Sequence, residues 1–594
     1  MKRSKLLLIL AVIAIMVLGA AAPGAAGTTR NQFKMRLPSF AKVDRDFAMD
    51  SAAAGIKVTG KELRGYNPGQ SYLSPGNGTS VGRIDARGSV KGLAILVDWP
   101  VSSAEMSDVP GVDYEQVPAD LFDDLFNGTE YDPYARPMWS HLATYPDGQP
   151  ASTRGTLRNY YDEISYGQFS IDVDVVGWVT LPHGYDYYMG QNKGHYNDNG
   201  DAYIGELVED AVLAAKEQFD INLADWAIPA RPGDFADLAG NATSIVQDGQ
   251  TIDKVVPNLF IIHRGTGAEY SRDPSIIWSH AWSIVSARYW GEYYRTNVPP
   301  DESALRWTVV DGVVVNQYNT CPEVGQNITG FGIDAPRAPS PAYVGVYAHE
   351  FGHVLGLPDL YDYGYDSEGV GDVSLMAGGS YGREYPDRYY SGNSPSHVEG
   401  WGKQYLSFLN FKDIMPTATP VTKTLRPANE SKDVYRIKVP NGLSYEYFVM
   451  ENRQQQGFDR GLSYFGDPAL HGLVVYQVDE SVFARTFWRA NEANNPHWTK
   501  RSSSAKTGGE THYAMAVLQA DGQYQLEVGG YTDAADFFPG SLGVTSLLPA
   551  PVNGLANTAS WYQLAPGRST TGIKLSDITE NDDGSVTVTI TYEP

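Results

Sequence analysis

The segment Ala348-His349-Glu350-Phe351-Gly352-His353-Val354-Leu355-Gly356-Leu357-Pro358-Asp359 constrains this chain more than any other. Residues 343–357 read as a helix with small residues at its start and a stop at Gly356-Leu357-Pro358. On a helix His349 and His353 stand at i and i+4, so both imidazoles leave from one face and can bind one zinc ion. Glu350 lies next to that face, where it can take a proton from a water on the metal. Gly356 lets the backbone turn sharply out of the helix. Asp359, three residues further, is placed to return as a third, oxygen ligand, leaving a fourth position open as catalysis requires. The competing reading is an exposed helix with two incidental histidines. An HExxH arises by chance in roughly one such chain in a hundred, and adding Gly and Asp at these spacings lowers that about a hundredfold.

Composition bounds what else the chain can be. Lys plus Arg number 45 against 70 Asp plus Glu, a net charge of −25, so the basic face that attracts phosphate is lacking and a nucleic-acid binder is excluded. With 42% hydrophobic and 19% charged residues, most of the 594 positions can contribute to a buried core. Cys321 is the single cysteine, so no intramolecular disulfide is possible. Lys2, Arg3 and Lys5, an apolar run from Leu6 to Leu18 and small residues through Gly27 form the pattern of a signal peptide, with cleavage expected after Ala26. A membrane anchor is the alternative, but the run falls short of the ~20 residues a span needs. The expected protein is therefore exported, monomeric, and held together by packing and metals.

Along the chain, residues 27–86 carry turn clusters such as Ser74-Pro75-Gly76-Asn77-Gly78. Lys91–Asp98 is a buried-strand run, Phe169–Val175 alternates as a half-exposed strand does, and Val255–His263 reads as another strand. Ile204–Phe219 has the periodicity of an amphipathic helix. From about residue 415 short strands separated by turns dominate: Val434–Val439, Tyr445–Glu451, Gly472–Val478, Ala514–Ala520 and Val586–Tyr592.

Met376 lies in Ser374-Leu375-Met376-Ala377-Gly378-Gly379-Ser380, seventeen residues after Asp359. A methionine in a tight turn after an extended zinc motif is what metzincin proteases place beneath the metal. Tyr381, next in sequence, is a candidate for stabilising an oxyanion. Residues 343–410 resemble the immune inhibitor A family of secreted metalloproteases. The matching stretches are His349–Asp362, Ser374–Ser380, and Pro395-Ser396-His397 with Trp401-Gly402-Lys403. Tyr160–Phe169, Pro257–Gly267, Ile277–Trp282, Glu451-Asn452-Arg453, Val478-Asp479-Glu480, Gln519–Gly522 and Asp536–Gly540 are also similar to family elements.

The resemblance implies an exported zinc endopeptidase made as a precursor, acting on protein or peptide substrates. Its expected parts are a signal peptide (1–26), a propeptide (27–86), a catalytic domain (87–412) and a β-rich region (413–594) with room for two subdomains. The expected fold is an α/β (α+β) zincin or metzincin-like catalytic domain followed by β-sandwich-like structure. His349, Glu350 and His353 stand in their motif positions. For the third ligand Asp359 competes with Glu399, since gluzincins take a glutamate from a second helix. Two rival functions stay open: an exported binding or surface-layer protein with an inert protease-like domain, and a zinc peptidase of narrow specificity.

Other residues invite weaker readings. Cys321 could cap the metal in a zymogen, but a buried free thiol is the simpler expectation. Asp44, Asp46 and Asp50 could block the metal from the propeptide. His263 and His280 are expected to be buried and hydrogen-bonded rather than ligands. Asp362, Asp366, Glu368 and Asp372 could hold structural Ca2+, a cation that takes oxygen ligands.

Overall fold

The computed structural model describes residues 83–594 apart from 101–115, 134–135, 137–138, 140–154, 190–202, 272–275, 297, 299, 302–304, 329–336, 363–366, 384–391, 463–468, 487–490, 492–511, 529, 531 and 553. The expected signal peptide, residues 27–82 of the expected propeptide with Asp44, Asp46 and Asp50, and Asp366 lie outside the described residues.

The main sheet is built from β1 (Gly88–Asp98), β2 (Phe169–Thr180), β3 (Leu259–Thr266), β4 (His280–Ser283), β5 (Gln317–Ile328) and β6 (Arg337–Pro341). Its order is β6-β5-β3-β1-β2, with β4 pairing β5 beside β6. The β1–β2, β1–β3 and β3–β5 pairings are parallel; β4 and β6 run antiparallel to β5. Parallel neighbours need crossovers. Two helices, α1 (Ala119–Asn127) and α2 (Leu157–Ser165), lie between β1 and β2, and α3 (Ile204–Phe219) lies between β2 and β3.

Alternation along the strands divides the interior into two cores. Ala94, Leu96, Phe260, Ile262 and Cys321 face one side, against Phe126, Tyr161 and Phe351. Leu93, Ile95, Val97, Leu259 and Ile261 face the other, against Leu207, Val208 and Ala211 of α3 and Trp290 of α4 (Ile284–Thr296). The central strands are thus covered on both faces, which explains why β1 and β3 read as continuous apolar runs.

One strand expectation is corrected. Residues 255–263 are two strands, because Pro257 lacks a backbone donor and Asn258 bonds sideways to β1. Asn258 Nδ2 donates to the Lys91 carbonyl at 2.8 Å, and its own carbonyl accepts from Leu93 N. Lys254–Val256 belongs to a separate four-stranded sheet, and β3 starts at Leu259.

Helix α5 (Val344–Leu355) packs under the main sheet, followed by α6 (Gly400–Tyr405). Beyond it lie β7 (Lys412–Ile414), β8 (Val421–Leu425), β9 (Tyr435–Lys438), β10 (Glu446–Arg453), β11 (Gly472–Asp479), β12 (Met515–Val517), β13 (Ile573–Glu580) and β14 (Val586–Tyr592). They form a five-stranded sheet, β7-β9-β10-β11-β12, and a three-stranded sheet, β8-β14-β13. Strand β10 serves two cores: Tyr447 and Val449 join the core that holds Phe351, whereas Phe448 and Met450 face Val586, Val588 and Ile590 of the smaller sheet. Among the described residues no helix is long and apolar enough to cross a membrane.

Candidate metal centre

Helix α5 is buried along nearly its whole length, and hydrogen bonds to neighbouring elements fix its depth. Tyr347 Oη donates to the Pro322 carbonyl of β5, and Tyr161 Oη of α2 donates to the Ala348 carbonyl, each at 2.7 Å. Gly356 ends the helix at φ 112°, a left-handed conformation that favours glycine. Its N–H donates back to Gly352 O and His353 O, and Leu357 N also donates to Gly352 O. The chain therefore doubles back, and Asp359 reaches the histidines.

The imidazoles are held in one tautomer. His349 Nδ1 lies 2.9 Å from the Leu375 carbonyl, and His353 Nδ1 lies 2.9 Å from the Leu357 carbonyl. A carbonyl can only accept, so each Nδ1 carries a proton, and each Nε2 is the ring atom turned toward Asp359. Both Nε2 atoms stand 3.2 Å from Asp359 Oδ1. The three ligand atoms lie within 4.8 Å of one another. Donors bonded at ~2.0 Å to a tetrahedral ion would be ~3.3 Å apart. With Nε2 deprotonated, two imidazoles and one carboxylate at these separations fit a divalent metal.

The charges follow from burial and pairing. Burial opposes the Asp359 anion, but His353 and the hydrogen bonds from both imidazoles outweigh it and hold the carboxyl well below its usual range. Burial also opposes a charged His353, and Asp359 reverses this, raising the imidazole. Glu350 is 1% exposed, and burial pushes its carboxyl up to about 8. His349 and a hydrogen bond from the Ala281 backbone on β4 oppose that rise, whereas Asp359 and Glu269 add to it. A cation on the three donors would favour the carboxylate further.

Met376 lies directly against the metal helix. A Cβ on Gly352, between the two histidines, would stand 2.8 Å from Met376 Sδ. The same turn supplies the Leu375 carbonyl that orients His349, and Met376 O accepts from Leu360 N at 2.8 Å. Glu399 is engaged elsewhere: it caps α6 by accepting from Gly402 N at 2.8 Å, and it accepts from Ser374 Oγ at 2.6 Å. It braces the methionine turn and is not among the converging donors. Tyr381 is buried at the end of the short 3-10 turn Gly378–Tyr381.

The remaining sequence candidates have other surroundings. Cys321 is a free thiol buried within β5, pushed well above its usual range by burial. His263 and His280 are buried in strands and each pulled down to about 4 by desolvation. His280 bonds the Trp278 carbonyl and Tyr318 Oη. Of the acidic loop, Asp362 accepts from Ser367 N and Oγ, and no grouping of metal donors among the described residues includes Asp362, Glu368 or Asp372. The calcium expectation for that loop thus finds no support. Sequence reading missed the Leu357 and Leu375 carbonyls, the Ala281 N–H, and the bracing role of Glu399. The first three are backbone groups, for which side-chain identity carries no signal.

With this geometry in hand, similarity to known proteins becomes informative. The sequence profile described as "Immune inhibitor A peptidase M6, catalytic domain" matches residues 87–409. The pre-pro-metalloprotease PrtV of Vibrio cholerae serotype O1 is 28% identical over 322 residues, which cover 53% of this chain and 29% of that protein. Immune inhibitor A of Bacillus thuringiensis subsp. alesti is 26% identical over 517 residues, 78% of this chain and 67% of that protein. The chain thus spans less than a third of the Vibrio protein and about two thirds of the Bacillus one.

Proposed function

Because this chain belongs to the immune inhibitor A peptidase M6 family, we propose that it is an exported zinc-dependent endopeptidase. The observation that carries the proposal is the convergence of His349 Nε2, His353 Nε2 and Asp359 Oδ1, with both Nδ1 atoms bound to carbonyls and Glu350 beside them. We assign His349, His353 and Asp359 as the zinc ligands. Zinc, when bound, makes a coordinated water acidic near neutral pH and polarises a carbonyl.

Within the chain's own residues, Glu350 is the proton acceptor. Its buried carboxylate takes a proton from the attacking water and returns it to the leaving amine. The Ala281 N–H steadies that carboxylate, so a free oxygen can point at the reacting atoms. The Leu375 carbonyl keeps His349 from rotating, Met376 packs against Gly352 between the two histidines, and Tyr381 is assigned to the developing oxyanion. Substrates are proteins or peptides lying extended across the cleft.

The precursor organisation is part of the same reading: signal peptide 1–26, propeptide 27–86, catalytic region 87–412 and a β-rich remainder. The Vibrio relative's designation as a pre-pro-metalloprotease supports the first two segments, and the family match over 87–409 supports the third.

The test is paired measurement of metal content and azocasein hydrolysis on purified wild type and Glu350→Gln. The variant should retain the wild-type metal content while hydrolysis falls about a thousandfold, and internal cuts should dominate the products. Equal hydrolysis by the two proteins would overturn the assignment of Glu350. Stepwise loss of single residues would move the reading to a narrow peptidase.

A further inference from the structure

We propose that Glu446, Asp479 and His512 bind a second, structural transition-metal ion within the five-stranded sheet. Glu446 opens β10 and Asp479 ends β11, and the two are direct partners in the antiparallel register. Like charges placed opposite each other in this way destabilise a sheet. Both residues are fully buried, and two carboxylates buried side by side need a compensating cation or a shared proton. Their hydrogen-bond partners among the described residues are neutral groups apart from His512: Gln477 and the Gln563 backbone on Glu446, and Ser481 on Asp479.

One imidazole proton cannot satisfy this cluster. His512 Nε2 faces Glu446 Oε1 at 3.1 Å, Asp479 Oδ2 at 3.4 Å and Gln477 Nε2 at 3.2 Å. If Nε2 carries a proton, that proton meets the amide donor of Gln477. If Nε2 is bare, its lone pair meets two carboxylate oxygens. Asp479 Oδ2, aimed at the same point, is buried with no hydrogen-bond partner among the described residues. Turning the Gln477 amide over would bring its oxygen, which also has no partner among the described residues, into the cluster as a fourth donor. A cation between these atoms removes the conflict in one step.

The donors also indicate which cation. One imidazole nitrogen with two carboxylate oxygens suits zinc or manganese, whereas calcium takes six to eight oxygens. All three ligand atoms lie within 4.8 Å of one another, and the 3.1 and 3.4 Å contacts bracket the ~3.3 Å edge of a tetrahedral site. Such an ion would clamp β10, β11 and the residues leading into β12, bracing an exported chain that has no disulfide.

The experiment counts zinc and manganese by elemental analysis in the full chain after exhaustive dialysis. It uses a Glu350→Gln background to suppress self-digestion. Two equivalents are expected in that protein, one after adding His353→Asn, one after adding His512→Leu, and none with both. Chelator should still lower the Tm of the Glu350→Gln/His353→Asn protein. One equivalent in both Glu350→Gln and Glu350→Gln/His512→Leu would overturn the proposal, making the cluster an imidazolium–carboxylate pair. Should His512→Leu fail to fold, the Glu350→Gln/His353→Asn protein decides alone: one remaining equivalent supports the site, and none overturns it.

Discussion

At the scale of single residues, the third ligand can be separated from the residue that resembles it. Asp359 Oδ1 meets both histidines, whereas the Glu399 carboxylate holds Ser374 and the first turn of α6. Asp359→Asn should therefore lose most of the bound zinc. Glu399→Gln should keep the zinc and lose only about 1 kcal/mol through its weakened cap; loss of the ion from Glu399→Gln with retention by Asp359→Asn would reverse the two roles. A second contrast concerns Gly352, whose added methyl would meet Met376 Sδ at 2.8 Å. Alanine gains about 1 kcal/mol of helix propensity, but overpacking a full core costs about 1–3 kcal/mol, so Gly352→Ala should destabilise. Met376→Ala, which alone costs about 2–5 kcal/mol, should make room for that methyl. The double variant should then be more stable than the sum of the single losses by about 1 kcal/mol or more, a coupling readable in urea unfolding. The sequence revealed this much of the site because i and i+4 spacing and a glycine stop are local properties. It left Glu399 open because a carboxylate that caps a helix and one that binds a metal look the same in one dimension.

At the scale of elements, α6 is held by a buried charge. Lys403 Nζ donates to His397 Nδ1 at 2.9 Å and to the Ala428 carbonyl at 3.3 Å, and His397 Nε2 donates to Glu163 Oε1 of α2 at 2.7 Å. Burial pulls the Lys403 ammonium down from 10.5 to about 8. Between these two values the unfolded chain binds more protons than the folded one, so stability rises with pH across that window and is unaffected below it. Relative to Lys403→Met, wild type should gain roughly 3 kcal/mol between about pH 8 and 10.5, measured by urea unfolding at each pH. A constant difference would mean that the lysine keeps its charge throughout. Elements with strong periodicity, such as α3 and β2, were legible in the sequence. The break at Pro257-Asn258 left a signal in its proline, but apolar runs on both sides read as one strand, and only the bonds of Asn258 to β1 show which sheet each half joins. Lys403 was equally opaque, since its partners come from segments far away in the chain.

At the scale of the whole molecule, the family match ends at residue 409 but the core does not. Trp401 of α6 stacks on Phe483 with ring centroids 4.0 Å apart and an interplanar angle of 4°. Val370 and Val373, beside the metal loop, share their core with Val474, Val517, Leu526 and Phe537. Arg453 of β10 is fully buried, donates to the Val373 carbonyl at 2.5 Å and pairs with Asp459 through two nitrogens. Asp459 in turn accepts from His397 N at 2.8 Å, next to the turn that carries Glu399. Removing everything after residue 412 would uncover Val370, Val373 and Trp401. At about 1.5–3 kcal/mol for each buried apolar side chain, that loss rivals the 5–15 kcal/mol by which a typical domain is stable. A chain truncated at residue 412 should therefore lack a cooperative thermal transition, retain no metal and hydrolyse no casein, although it contains every residue assigned to the metal centre. Calorimetry and metal analysis of the truncated and full chains side by side would check this. A truncated chain that unfolds cooperatively with its zinc in place would mean that the strands beyond residue 412 only cover a catalytic region able to fold by itself. The expectation is the reverse: a five-stranded sheet whose Tyr447, Val449, Val474 and Val517 share the core that holds Phe351 makes the metal centre a property of the entire chain.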